Sequence, residues 1–192
     1  MPEQHDRYFK PRVMLFPLRK YVSRIQYDFI GTSAKLGMTV LDLGSGPGFF
    51  TTRLAEAVGS SGVVYAVDGD EKVIHRLRSR IVSTGLTNIK TYASSAASIP
   101  FIQNESIDIL FSNGLLCCMS DHRDAVSEMM RVMKPDSRGF ISVAKILRGD
   151  GLGISRKEWK EIMESFKVLR NGSSIMTDWA VVEKSGMMMN EL

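Results

Sequence analysis

The chain has 192 residues, 44% of them hydrophobic and 24% charged, a balance that fits one globular domain and excludes disordered, collagen-like and disulfide-stapled classes. Its net charge is +4, enough to favour anions and too little to single out nucleic acid. No apolar run reaches the roughly 18 to 20 residues of a membrane span, and no signal-peptide block is present, so a cytoplasmic protein without a membrane partner is expected.

Residues 1–16 carry Pro2 and Pro11 and little periodicity, and they read as an irregular arm. Pro17 suits a first helical turn, and Leu18, Tyr21, Val22, Ile25 and Phe29 then recur at helical spacing until Gly31 offers a stop. This stretch is basic: Arg7, Lys10, Arg12, Arg19, Lys20, Arg24 and Lys35 face Glu3, Asp6 and Asp28. Short β-rich runs then alternate with amphipathic helices. Strands are predicted over 39–43, 63–67, 89–93, 107–111 and 139–145. Between them, one helix carries Phe50, Leu54 and Val58, and a second carries Val73, Ile74, Leu77 and Ile81 before Gly85. A third carries Val126, Met129, Met130 and Met133 and stops near Pro135. A final helix over 155–166 leads to strands over 167–170 and 178–183, joined by a turn at Asn171, Gly172, Ser173 and Ser174. Residues 185–192 read as a frayed tail.

Such alternation predicts a doubly wound α/β fold: a mostly parallel, seven-stranded sheet with helices on both faces and an antiparallel edge hairpin. The adjacent Cys117 and Cys118 have no crosslinking or metal-site spacing, and no metal is expected.

The most informative segment runs from Val40 through Asp42 to Gly44-Ser45-Gly46-Pro47-Gly48-Phe49. Glycines between a strand and a helix allow positive φ and expose backbone to a ligand, and the helix start favours an anionic group. Asp68, at the end of the second strand, is placed to accept hydrogen bonds from ribose hydroxyls. A nucleoside with an anionic arm satisfies both features, which leaves a nicotinamide dinucleotide and S-adenosylmethionine. The dinucleotide pattern G-x-G-x-x-G needs glycine at position 49, where this chain has Phe49; here the spacing is G-x-G-x-G.

At these residues the sequence resembles the class I S-adenosylmethionine-dependent methyltransferases. The likeness continues through Ser98-Ile99-Pro100-Phe101 and Ser106-Ile107-Asp108, similar to the family's "LPF … SFDxV" stretch. It extends to Met133-Lys134-Pro135-Asp136-Ser137-Arg138-Gly139, similar to its "LKPGG" turn. The resemblance implies that Gly44, Ser45, Gly46 and Gly48 hold the methionine part of the cofactor while Asp42 orients its ammonium. It places Asp68 and Gly69 at the ribose, Ser95 and Ala96 at the adenine, and Asn113 at the end of the fourth strand. Many relatives have an aspartate where this chain has Ser95, whose hydroxyl accepts without charge assistance.

The resemblance also implies one domain over 1–192: an arm and lid helix (1–36), a cofactor-binding core (37–146), and a C-terminal helix with edge strands (147–184). The implied activity is methyl transfer by in-line displacement to a small or medium-sized acceptor. Asn113 and His122 are the candidate catalytic residues, with His122 expected as an exposed helix-start side chain. Cys117 and Cys118 are expected to line the pocket. The alternatives left open are an RNA or protein methyltransferase using the basic N-terminal face, a dinucleotide-dependent oxidoreductase, and a non-catalytic cofactor-binding module. The oligomeric state stays open.

Overall fold

The computed structural model describes residues 23–145 and 154–184. The expected arm, the Pro17 helix start with Leu18, Tyr21 and Val22, and the tail lie outside these residues. The elements are α1 (Arg24–Ser33), β1 (Thr39–Leu43), α2 (Thr51–Val58), β2 (Val63–Asp68), α3 (Glu71–Thr84), β3 (Ile89–Ala93) and β4 (Ile107–Asn113), then α4 (His122–Val132), β5 (Met133–Ala144), α5 (Arg156–Glu164), β6 (Lys167–Ser173) and β7 (Thr177–Glu183).

Seven strands form one sheet in the order β3-β2-β1-β4-β5-β7-β6. The first five are mutually parallel, and β7 runs antiparallel to both β5 and β6. The fold class and edge hairpin are as expected. Alternating strand residues serve opposite faces. Val40, Val64, Ile109, Phe111 and Phe140 pack with Phe29 of α1, Phe50 just before α2 and Leu54 of α2. Leu41, Leu43, Leu110 and Ile141 pack with Val126, Met129 and Ile162 from α4 and α5. Strand order reverses between β1 and β4, the switch point where ligands of open α/β sheets bind at the carboxyl ends.

Local chemistry sets the helix ends. Asp70 caps α3 by accepting from the Lys72 N–H, and Gly85 closes it in the left-handed region at φ +69°. Ser155 caps α5 through the Glu158 N–H.

Three expectations need correction. Gly31 does not stop α1, which continues to Ser33; a glycine inside a helix costs only about 1 kcal/mol, and packing of Phe29 and Ile30 offsets it. Met133 is not on α4 but opens β5, paired with Ile107, because its buried side chain serves the core equally well from a strand. The 171–174 turn is not a turn throughout: β6 extends to Ser173, with Asn171 and Gly172 paired to Ala180 and Trp179, and the reversal falls at Ser174 to Thr177. Gly172 is needed there because the Trp179 ring lies against it, 2.4 Å from where a Cβ would stand. One further feature is that residues 94–106, between β3 and β4, form no helix.

Candidate active site

The carboxyl end of β1 runs into the glycine turn. Val67 O accepts from both Gly44 N–H (2.8 Å) and Ser45 N–H (3.0 Å), locking the turn onto β2. Gly44, Gly46 and Gly48 have φ of +81°, +55° and +86°, a region that costs other L-residues roughly 1–2 kcal/mol. Two of them also allow close packing. A Cβ at Gly48 would lie 2.3 Å from Leu77 Cδ1 on α3, and one at Gly44 would lie 2.8 Å from Leu115 Cβ. Phe49 packs edge-on against Phe50 at 4.9 Å, so a ring fills the place where a dinucleotide turn needs bare backbone.

Two carboxylates frame this turn. Asp42 is buried and accepts from Thr51 Oγ1 at 2.6 Å, tying the end of β1 to the start of α2. Asp68 accepts from Gly46 N–H at 2.9 Å and from Asp70 N–H at 3.0 Å. Burial pushes its pKa above the ordinary 3.8, although both backbone donors pull the other way. Each oxygen keeps a further lone pair, so two ribose hydroxyls can be accepted without breaking the clamp. Gly69 follows directly. These residues fit the methionyl and ribose parts of S-adenosylmethionine: side-chain-free glycine backbone, a helix start and a carboxylate come together at the switch point of the sheet.

The remaining candidates are divided. Ser95 lies in the loop after β3, where its hydroxyl accepts from Ala97 N–H at 3.3 Å, with Ala96 buried beside it. Asn113 ends β4, and its Oδ1 accepts from both Gln26 Nε2 and Ser142 Oγ at 2.9 Å, which leaves the amide as a donor. Gln26 escaped the sequence reading, although it stands four residues before Ile30 and after Val22, on the apolar stripe of α1. That position was the available signal for a buried polar contact.

His122 is not the exposed side chain expected. Its ring is 14% exposed, Nδ1 bonds Glu158 Oε1 of α5 at 2.5 Å, and Nε2 is buried. The pairing links α4 to α5 beside a cleft of about 640 Å³ that none of the glycine-turn residues lines. Cys117 is buried, donating to Gly114 O and accepting from Ala144 N–H. The Cys118 sulfur lies 3.9 Å from it, and its pKa is raised by that contact, by burial and by the negative charge of Asp68. The pair thus stands in the loop that follows β4, held against Gly114 and Ala144.

Comparison with known proteins agrees with this geometry. A family model described as a methyltransferase domain matches residues 34–184. The ubiquinone/menaquinone biosynthesis C-methyltransferase UbiE of Shewanella halifaxensis is 28% identical over 166 residues, covering 86% of this chain and 63% of that protein. An arsenite methyltransferase of Halobacterium salinarum is 30% identical over 106 residues, covering 55% of this chain and 27% of its own length. The chain thus spans less than two thirds of either relative. A solved structure of a SAM-dependent methyltransferase from Aquifex aeolicus superposes with a TM-score of 0.78 at 25% identity, covering 92% of this chain and all of that one. With a glycine turn spaced for a sulfonium nucleoside and a family match across most of its length, the chain belongs to the S-adenosylmethionine-dependent methyltransferase domain family.

Proposed function

We propose that the chain transfers a methyl group from S-adenosylmethionine to a small or medium-sized acceptor by in-line displacement. The observation that carries this reading is the Gly44–Gly48 turn, clamped to Asp68 through the Gly46 N–H at the sheet's switch point. When bound, the cofactor supplies a methyl already activated by its sulfonium charge, so positioning and desolvation can carry most of the catalysis.

The protein's part is to orient. Asp68 holds the ribose, the side-chain-free glycine backbone and the helix start that follows it accommodate the methionyl arm, and Asp42 faces the ammonium while Thr51 fixes its rotamer. Asn113, its oxygen occupied by Gln26 and Ser142, offers N–H donors at the end of β4. Small-molecule acceptors are favoured by the C-methyltransferase and arsenite methyltransferase relatives. No helix among the described residues is long and apolar enough to cross a membrane, and a cytoplasmic enzyme of one domain is the location and organisation we infer.

A thermal-shift screen tests the reading. S-adenosylmethionine and its demethylated product should raise the melting temperature and NADH should not; the reverse would favour the oxidoreductase alternative. A labelled-methyl assay against fractionated cell extract then identifies the acceptor.

Two substitutions refine the assignment. Ser95→Asp should tighten cofactor binding about three- to tenfold, because a carboxylate makes a charge-assisted bond to the adenine amino group; titration calorimetry showing unchanged or weaker binding would remove Ser95 from the adenine contact. His122→Ala should lower the melting temperature while kcat falls less than about tenfold, because its Nδ1 is occupied in joining two helices. Loss of a general base would cost about 100- to 10,000-fold.

A further inference from the structure

We propose that Glu128 and Arg131 of α4 are positioning residues for the adenine end of the cofactor, holding the loop after β3 in the shape that receives the purine. The inference rests on the cofactor reading, which sets Ser95 and Ala96 of this loop at the adenine. Residues 94–106 form neither helix nor strand. No regular ladder therefore pairs their backbone polar groups, and the loop's shape depends on what grips it from outside.

The turn over residues 94–98 is closed locally: Ser94 Oγ donates to Ser98 O at 2.9 Å, and Ser98 N–H donates to Ser95 O at 3.2 Å. Its two ends are fixed to different parts of the fold. On one side, Ser94 N–H donates to the Asp68 backbone carbonyl at 3.0 Å, which ties the turn to the residue assigned to the ribose. On the other, α4 takes both backbone groups of Ile99. The Ile99 N–H donates to Glu128 Oε2 at 2.8 Å, and the Ile99 carbonyl accepts from Arg131 Nη2 at 3.1 Å.

Arg131 uses every donor it has. Its Nε and Nη2 bond the two Glu128 oxygens at 2.6 and 2.8 Å, and its Nη1 reaches Ile102 O at 2.8 Å and Asn104 Oδ1 at 2.7 Å. With the bond to Ile99 O, the five N–H positions of the guanidinium are filled. An ion pair between helix neighbours three residues apart contributes little by itself. This pair differs because four of its bonds leave the helix for the loop, and only a planar fork can hold a carboxylate and two carbonyls at once. The backbone of α4 holds the far end of the loop as well, through Glu105 N–H to Arg131 O at 3.0 Å and Ser106 N–H to Val132 O at 2.9 Å. Ile99 and Ile102 lie in the buried core that also contains Val126 and Met129 of α4. Hydrogen bonds from Arg131 first, and from the Ile99 N–H second, hold the Glu128 carboxyl below its ordinary value against the pull of desolvation, so the grip is ionised at neutral pH.

The test is titration calorimetry of the full chain with S-adenosylmethionine and with methylthioadenosine, which keeps the adenine and ribose and lacks the methionyl carboxylate and ammonium. A loop correctly set in only about a tenth of the molecules lowers apparent affinity about tenfold, so Arg131→Ala should weaken both ligands about tenfold and by the same factor. Arg131→Lys keeps the charge and loses the fork, and should weaken both about threefold. Lys134→Ala removes an ion pair with Asp108 that touches no residue of the loop, and should change neither affinity. If S-adenosylmethionine does not bind the parent chain, the cofactor reading fails and this inference with it. If the parent binds and both Arg131 variants bind equally well, the cofactor reading stands and the inference alone is overturned. It is also overturned if S-adenosylmethionine weakens while methylthioadenosine does not, which would place the effect at the methionyl arm. A loss in Lys134→Ala as large as in Arg131→Ala would overturn it too, by making the effect one of general stability.

Discussion

Asp68→Ala is expected to weaken S-adenosylmethionine binding by about 3 kcal/mol, roughly a hundredfold, because it removes two hydrogen bonds to an ionised acceptor. It also releases the Gly46 N–H that Asp68 holds at 2.9 Å, so the turn loses its clamp together with the ribose contact. Asp68→Asn keeps one acceptor oxygen and should lie between the two. Titration calorimetry at neutral pH reads these effects directly, and unchanged affinity in Asp68→Ala would remove this residue from the site. Acidity should reproduce part of the loss. Burial raises the Asp68 pKa above 3.8, so affinity should decline as pH falls through a midpoint higher than that of an ordinary aspartate, and Asp68→Asn should abolish that limb. The sign for stability is opposite. The free folded protein holds this proton more tightly than the unfolded chain, so the residue's contribution is full below 3.8 and is lost as pH rises through the raised value.

Gly48→Val should lower the melting temperature by about 6–12 °C, from about 3 kcal/mol at 2–4 °C per kcal/mol for a chain of this size. Two costs add at this position: a β-branched residue at φ +86° and a Cβ placed 2.3 Å from Leu77 Cδ1, against a side chain that is itself fully buried. Gly85→Ala is the matched control. At φ +69° it has nothing within 4 Å of the added carbon, so only the conformational cost applies, and calorimetric melting should show a much smaller loss. Equal losses would mean that packing of the turn against α3 contributes little.

Much of this architecture is legible in the residues, and the reasons are local. β3 occupies the predicted 89–93, since Ile89 begins a β-rich run just beyond the helix-stopping Gly85. The turn and Asp68 are legible because backbone at positive φ admits few residues other than glycine, and because a carboxylate at a strand end has few structural uses. What depends on distant partners is harder to read. Gly31 and Met133 mislead because tertiary packing decides whether a weak stop is used and whether a buried side chain belongs to a helix or a strand. The turn at Asn171 and Gly172 gives way to pairing with β7, where Trp179 fills the space a side chain would need. Gln26 meets Asn113 across 87 residues of chain, and His122 meets Glu158 across 36; no spacing rule joins such positions. Cys117 and Cys118 are conspicuous in sequence, yet the packing of Cys117 against the Ala144 N–H follows only from the pairing of β4 with β5.

The central claim is that the Gly44–Gly48 backbone and Asp68 together hold a sulfonium nucleoside, and a crystal grown with S-adenosylmethionine tests it most directly. The account predicts density along the carboxyl ends of β1 and β4, with both ribose hydroxyls within hydrogen-bonding distance of Asp68 and the methionyl arm lying against the glycine backbone of the turn. A site that stays empty at saturating cofactor, or one that takes a dinucleotide with its pyrophosphate against that turn, would contradict it.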